Sequence, residues 1–196
     1  MMTSLSSIIQ TLEGRGQYHP LMPTSIWNRE LDTQIEALDF GAHKRETAVI
    51  ALLAGLHLRN DNLDRSHRYA QSIEHDATGA YWHGVMHRME GDFSNSKYWF
   101  HTAGNHPAMA IAARLIAEAL QTRLVPEEAP EQIRGMLTSF RDHGNWTPSA
   151  FTDIVRWQQN MSLPQAVRQI LEHMQYLEMK ALFQYTLDLC SPYLSE

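Results

Sequence analysis

His83, His87 and Glu90 recur one helical turn apart within Tyr81 to His101, a stretch of 21 residues that holds six aromatics and three histidines. On a helix, at about 100° per residue, these three side chains form one stripe, beside an apolar face of Trp82, Val85, Met86 and Met89. Imidazoles four residues apart can aim at a common atom, and Glu90 can reach the same space, so the three are candidate ligands of a divalent metal. His57, His101 or His106 would then complete the coordination shell. The spacing differs from the zinc-protease helix, which places a glutamate between its two histidines, and a metal is not the favoured reading.

The same residues serve a site without metal. His83, His87 and Glu90 become candidate catalytic groups, because a histidine paired with Glu90 or Asp92 can shuttle a proton. Arg88 can fork onto a carboxylate or phosphate, and Trp82 and Trp99 can cover a ring. Asn95 and Trp99, at i and i+4 on the following helix, share a groove, whereas Lys97 and His101 share a different face. With Asp92 and Tyr98, these residues make a ligand-binding set suited to a small polar or anionic molecule. A purely architectural reading also gives every polar group a task. Gly84 lets two helices approach, His83 and His87 lie satisfied between them, Asp92 and Asn95 cap, and Arg88 pairs with Glu90.

Composition narrows the partners. The net charge is −6, with 22 acids against 16 bases, which argues against nucleic acid and against anionic membranes, since both are held by lysine and arginine. No apolar run approaches the roughly 20 residues that cross a bilayer, and the start, Met1 to Ile9, lacks a basic region followed by an apolar core. A soluble, cytoplasmic protein is expected. Its single cysteine, Cys190, rules out an internal disulfide and any thiolate-rich zinc site. Histidine is the compositional outlier: of 11, eight lie between His43 and His106, which points to the first half of the chain as the functional half. There is no nucleophile elbow, phosphate loop or dinucleotide fingerprint.

The elements that must position these groups are helices throughout, because apolar residues recur at helical spacing and no stretch alternates with period two. The chain of 196 residues reads as one all-α domain, a compact bundle of nine or ten helices, with a weak sub-boundary near 124–130. Helices are expected at about 6–12, from Thr24 or Ser25 to Ala37, and at about 44–59, 64–73, 77–90, 94–102 and 107–122. Further ones surround Ile133 to Phe140 and start at Thr147-Pro148. The stretch from Gln165 to Leu189 forms one long helix or two. Gly14 to Pro23 reads as an irregular loop, a connector or a lid.

Shifting residues 55 to 69 forward by 29 superposes Gly55 on Gly84, Arg59 on Arg88, Arg68 on Lys97 and Tyr69 on Tyr98, so two successive helical hairpins look related. With the turn at Gly91-Asp92-Phe93, the pattern resembles tetratricopeptide and Sel1-like repeats, although Ser96 takes the usual alanine position and the spacing is shorter than about 34 residues. The string from Tyr81 to Phe100 is also similar to the signature of a small all-helical bacterial family, over about residues 76 to 107. That resemblance implies that His83, His87, Arg88, Glu90, Asp92, Asn95, Tyr98 and Trp99 belong together, and it brings no activity. Three readings follow: a protein that binds a small polar or anionic molecule, with or without catalysis; a repeat-like module that holds a peptide or another copy of itself; and a metal-dependent enzyme using His83 and His87.

Overall fold

Side-chain caps set where most of the first seven helices begin. In the computed structural model, which describes residues 4–159 and 161–194, Asn62, Asp76 and Asp92 each accept hydrogen bonds from backbone N–H groups two or three residues ahead. Met1 to Thr3, at the head of the amino-terminal stretch, lie outside the described residues. The helices are α1 (Leu5–Glu13), α2 (Arg29–Glu36), α3 (Thr47–Arg59), α4 (Leu63–Ser72), α5 (Ala77–Glu90), α6 (Phe93–Ala103), α7 (Pro107–Gln121), α8 (Glu131–His143), α9 (Pro148–Gln159) and α10 (Gln165–Cys190). Short 3-10 turns cover Gly41–His43 and Ser191–Tyr193, and the described residues contain no strand. The chain is all-α.

Local signals place α5 where the spacing predicts it, between its cap Asp76 and the left-handed Gly91 (φ 93°). The start of α2 differs. It begins after Asn28 rather than Thr24 or Ser25, because Asn60 holds the preceding segment extended: Asn60 Nδ2 donates to Asn28 O (2.8 Å) and the Asn28 N–H donates to Asn60 Oδ1 (3.1 Å). The carboxy-terminal stretch is one helix of 26 residues, and it contains no glycine or proline to break it.

Two hydrophobic cores share that long helix. One gathers α1 to α6 around Leu52, Trp82 and Met89 with Met179, Leu182 and Phe183 of α10; the other gathers α7, α8 and α9 around Ile116, Leu137 and Phe151 with Val167, Leu171 and Met174 of α10. The segment 124–130 does not separate independently packed units, since α7 before it packs on both α8 and α10 after it. At the centre runs α5, with 12 of its 14 residues buried. The expected division into one apolar face and one bordering stripe therefore does not hold: α5 meets α3, α4, α6, α9 and α10 around its circumference.

The two hairpins, α3–α4 and α5–α6, are related at the level of their turns. Asn62 N–H donates to His57 O, and Asp92 N–H donates to His87 O, both at 2.9 Å, across a left-handed residue, Asp61 (φ 59°) or Gly91. This geometry equates Asp61 with Gly91 and the caps Asn62 and Asp92, an offset of 30 rather than 29. Tyr69 then corresponds to Trp99 and the buried Ser66 to Ser96, while Gly55 and Gly84 do not correspond. The two glycines do different work. A Cβ on Gly84 would lie 2.6 Å from the Phe100 ring on α6, and one on Gly55 would lie 2.7 Å from the Trp82 ring on α5. Ser96 seals the first contact by donating to the Gly84 carbonyl (2.8 Å).

Alanine at Gly84 gains about 1 kcal/mol in helix propensity, but forcing a ring that is 4% exposed out of its place costs about 1 to 3 kcal/mol. A net loss of about 1 kcal/mol is expected for Gly84→Ala and more for Gly84→Val, read as a lower urea midpoint. An unchanged midpoint for the valine variant would mean that α5 and α6 are not in contact at this residue.

Candidate functional site

The groups that come together are His67, His83 and His87. His83 and His87 lie one turn apart on α5 with rings nearly parallel and centroids 4.7 Å apart. His67, on α4, stands 4.8 Å from the His83 ring and 5.2 Å from the His87 ring. One nitrogen from each ring can be chosen so that all three lie within 4.8 Å of one another. His83 and His87 are buried and His67 is half-buried. Trp99 stacks on His83 at 4.1 Å, closing the cluster from the α6 side.

The electrostatics disfavour protons at this point. Burial, followed by the neighbouring His87 and His67, lowers the His83 pKa to about 3, so its imidazole is neutral at physiological pH. Burial also lowers His87, against the opposing pull of Glu90. The His87 Nδ1–H donates to Glu90 Oε2 (3.1 Å), which fixes the tautomer and leaves the Nε2 lone pair free. Neither nitrogen of His83 has a hydrogen-bond partner among the described residues. Each buried, unsatisfied ring nitrogen costs about 1 to 3 kcal/mol unless something outside the chain satisfies it.

Several expected members stand elsewhere. Trp82 is a core residue whose indole N–H donates to Thr186 Oγ1 (3.1 Å). Arg88 is fully buried and turned toward α10, where it pairs with Glu178 and donates to Gln175 Oε1 (3.3 Å), so its expected partner Glu90 is replaced and it reaches no ligand near the histidines. Asp92 caps α6. Tyr98 packs edge-on against Trp99 and is exposed; Asn95 is half-buried on the same helix. Glu90 supports His87 rather than joining the three converging nitrogens.

The expected third histidines do not reach the cluster. His101 is exposed. His106 caps α7: its Nδ1 accepts from the Ala108 N–H (3.2 Å), so Nε2 carries the proton and lies 3.2 Å from Thr78 Oγ1. His57 lies between Asp32 and Glu36, 2.8 Å from a carboxylate oxygen on each side. Burial lowers its pKa against the two acids, so both bonds are complete only when the ring is doubly protonated, at acid pH. The residue that spacing along one helix misses is His67. A signal for it exists: His67 and His83 are each eight residues from His75 in the α4–α5 turn, and a hairpin brings equidistant residues face to face.

Clefts lie away from this cluster. One of about 980 Å³ is walled by the loop after α1 and by the start of α10; one of about 1140 Å³ lies between α1, α2 and the carboxy-terminal residues. Neither is lined by a residue of 81–101. The loop from Gly14 to Pro23 is tied down rather than poised as a lid: Arg15 donates to Asp61 (2.7 Å), His19 is buried against the same carboxylate (2.9 Å), and Gln175 donates to Pro20 O (3.2 Å).

Compared with known proteins, the chain matches no family model, no curated protein and no solved structure. Its own side chains carry the functional reading.

Proposed function

We propose that the protein binds a divalent transition metal through His67, His83 and His87, with a small polar or anionic molecule, or water, as the remaining ligand. The observation that carries this reading is the convergence of three imidazoles within 4.8 Å around a buried His83 that has no other partner among the described residues. Neutral imidazole is the protonation state a metal needs, and the lowered pKa of His83 supplies it without competition from protons near neutrality. A zinc ion with ligands at about 2.0–2.1 Å would draw the nitrogens to about 3.4 Å apart, a closure of about 1.4 Å that small ring rotations can provide. Glu90 supports His87 as carboxylates support metal-bound histidines: it accepts from Nδ1 and so leaves Nε2 for an ion.

Three histidines leave one tetrahedral position for an exchangeable ligand, and Trp99 on α6 stacks against His83 at 4.1 Å. A water bound there would have its pKa lowered to about 7, which makes hydrolysis the chemistry such a centre serves. Arg88 has no part in it.

Titration of metal-free protein with Co²⁺, followed by visible absorption, is expected to show one equivalent of tightly bound ion, displaced by Zn²⁺. His67→Ala, at a half-buried position, is expected to weaken binding at least 100-fold, and Glu90→Gln 10- to 100-fold. His101→Ala is expected to leave it unchanged. Retention of binding in His67→Ala, or no stoichiometric ion in the unaltered protein, would overturn the assignment.

A further inference from the structure

Arg59, at the carboxy-terminal end of α3, is buried at 3% exposure, yet its enclosed Nη1 has no hydrogen-bond partner among the described residues. Among the described residues the arginines in ion pairs are Arg15, Arg65, Arg88, Arg114 and Arg141, and Arg59 is not one of them. Its guanidinium rests 4.3 Å above the Phe183 ring of α10, a contact that offsets only part of the lost hydration. Burying an unpaired cation is among the most unfavourable arrangements in a protein, and cations so placed are normally paired or hydrogen-bonded. Arg88 shows the contrast within the same fold. It too stands at the end of a buried helix and faces α10, and there Glu178 supplies its counter-charge.

What faces Arg59 instead is a recess of about 280 Å³, lined also by Glu13, Tyr176, Lys180, Phe183 and Gln184. Lys180 is exposed at its edge and brings a second positive charge. Glu13, also exposed, is the one acid in the lining. Its carboxylate stays beyond ion-pair distance of the guanidinium, close enough only for a longer-range attraction. The recess is smaller than the 300 to 1,000 Å³ typical of whole-ligand pockets, which suits a head group. It shares Glu13 and Tyr176 with the neighbouring cleft of about 980 Å³, where Tyr18 stacks on His173 at 4.6 Å.

We propose that Arg59 and Lys180 bind a small oxyanion, a phosphate or a carboxylate, carried by a small molecule whose remainder lies along the adjoining cleft. The planar guanidinium offers paired N–H donors matched to either group, and the ammonium at the mouth draws the anion in. The site shares no residue with the histidine cluster, so it stands or falls separately from the metal.

Thermal unfolding of the full chain in inorganic phosphate or malonate, against sodium chloride at equal ionic strength, tests this. Each probe that binds is expected to raise the melting temperature saturably, by roughly 5 to 10 °C at 100 times its dissociation constant. A larger effect of phosphate assigns a phosphorylated ligand, and a larger effect of malonate assigns a carboxylate. Arg59→Met removes a buried charge that has no partner among the described residues, so it is expected to fold at least as stably as the unaltered protein without probe, and to lose the shift. Lys180→Gln, at the exposed edge, is expected to reduce the shift without abolishing it. The proposal fails if neither probe acts beyond chloride, or if Arg59→Met retains the shift.

Discussion

Glu178→Ala is expected to cost about 3 to 5 kcal/mol, the range found when one member of a buried ion pair is removed. Both the Arg88 and Glu178 side chains are 0% exposed, and their contact joins α5 to α10 where the two cores meet. Without the carboxylate, Arg88 keeps one hydrogen bond to Gln175 and the faces of Phe151 (4.8 Å) and Phe100 (5.6 Å), which do not balance a desolvated positive charge. A domain of this size is stable by about 5 to 15 kcal/mol in total, so the variant would sit near the edge of folding. Arg88→Met is expected to cost a similar amount, since burial already pushes the Glu178 carboxyl above its ordinary range and Arg88 opposes that push. Replacing both residues with methionine is expected to cost less than either single change, because no charge remains to be desolvated. Urea midpoints at unchanged slope read all three effects. A loss below about 1 kcal/mol in Glu178→Ala would show that no buried ion pair operates there.

Acid is expected to begin destabilising the protein below about pH 6.5, before its carboxylates titrate. Burial lowers the pKa of His19, His57, His83, His87, His106 and His173 from the ordinary 6.5, with His173 at about 4 and His83 at about 3. The unfolded chain therefore binds protons that the folded chain refuses. The stability these groups contribute is complete above about pH 6.5 and is lost as the pH falls toward 4 and 3. Each fully refused proton costs up to about 1.4 kcal/mol per pH unit; for His83 and His173 together, discounted for solvent around half-buried rings, the slope near pH 5 is on the order of 1 to 2 kcal/mol per unit, and the other four act in the same direction. Glu172 and Glu178, raised by burial, act in the opposite sense, but they are two groups against six. Circular dichroism at fixed urea across pH 7 to 4 reads the slope. Equal stability at pH 7 and pH 5 would sink the account, and His83→Phe, which keeps a ring against Trp99, should flatten it to some degree.

Short-range features were legible. The limits of α5 and the start of α6 follow from Asp76, Gly91 and Asp92, each acting on its own neighbours in the chain. The start of α2 was not, because Asn60, 32 residues away from Asn28, decides it. Within the candidate site, His83, His87 and Glu90 are one turn apart on α5, so their proximity needs nothing beyond the helix. His67 comes from another helix, and Glu178 reaches Arg88 across 90 residues.

The amino-acid order alone determined that the chain is helical, where most helices begin and end, and which imidazoles share a turn, because caps, glycines and apolar periodicity act over a few residues. Only the tertiary structure decided that α5 is enclosed on every side. It also decided that Arg88 is paired while Arg59 has no partner among the described residues, and that a histidine from α4 meets two from α5. Those outcomes depend on which remote helix lies opposite each buried polar group, and the core selects that neighbour by packing whole helices together.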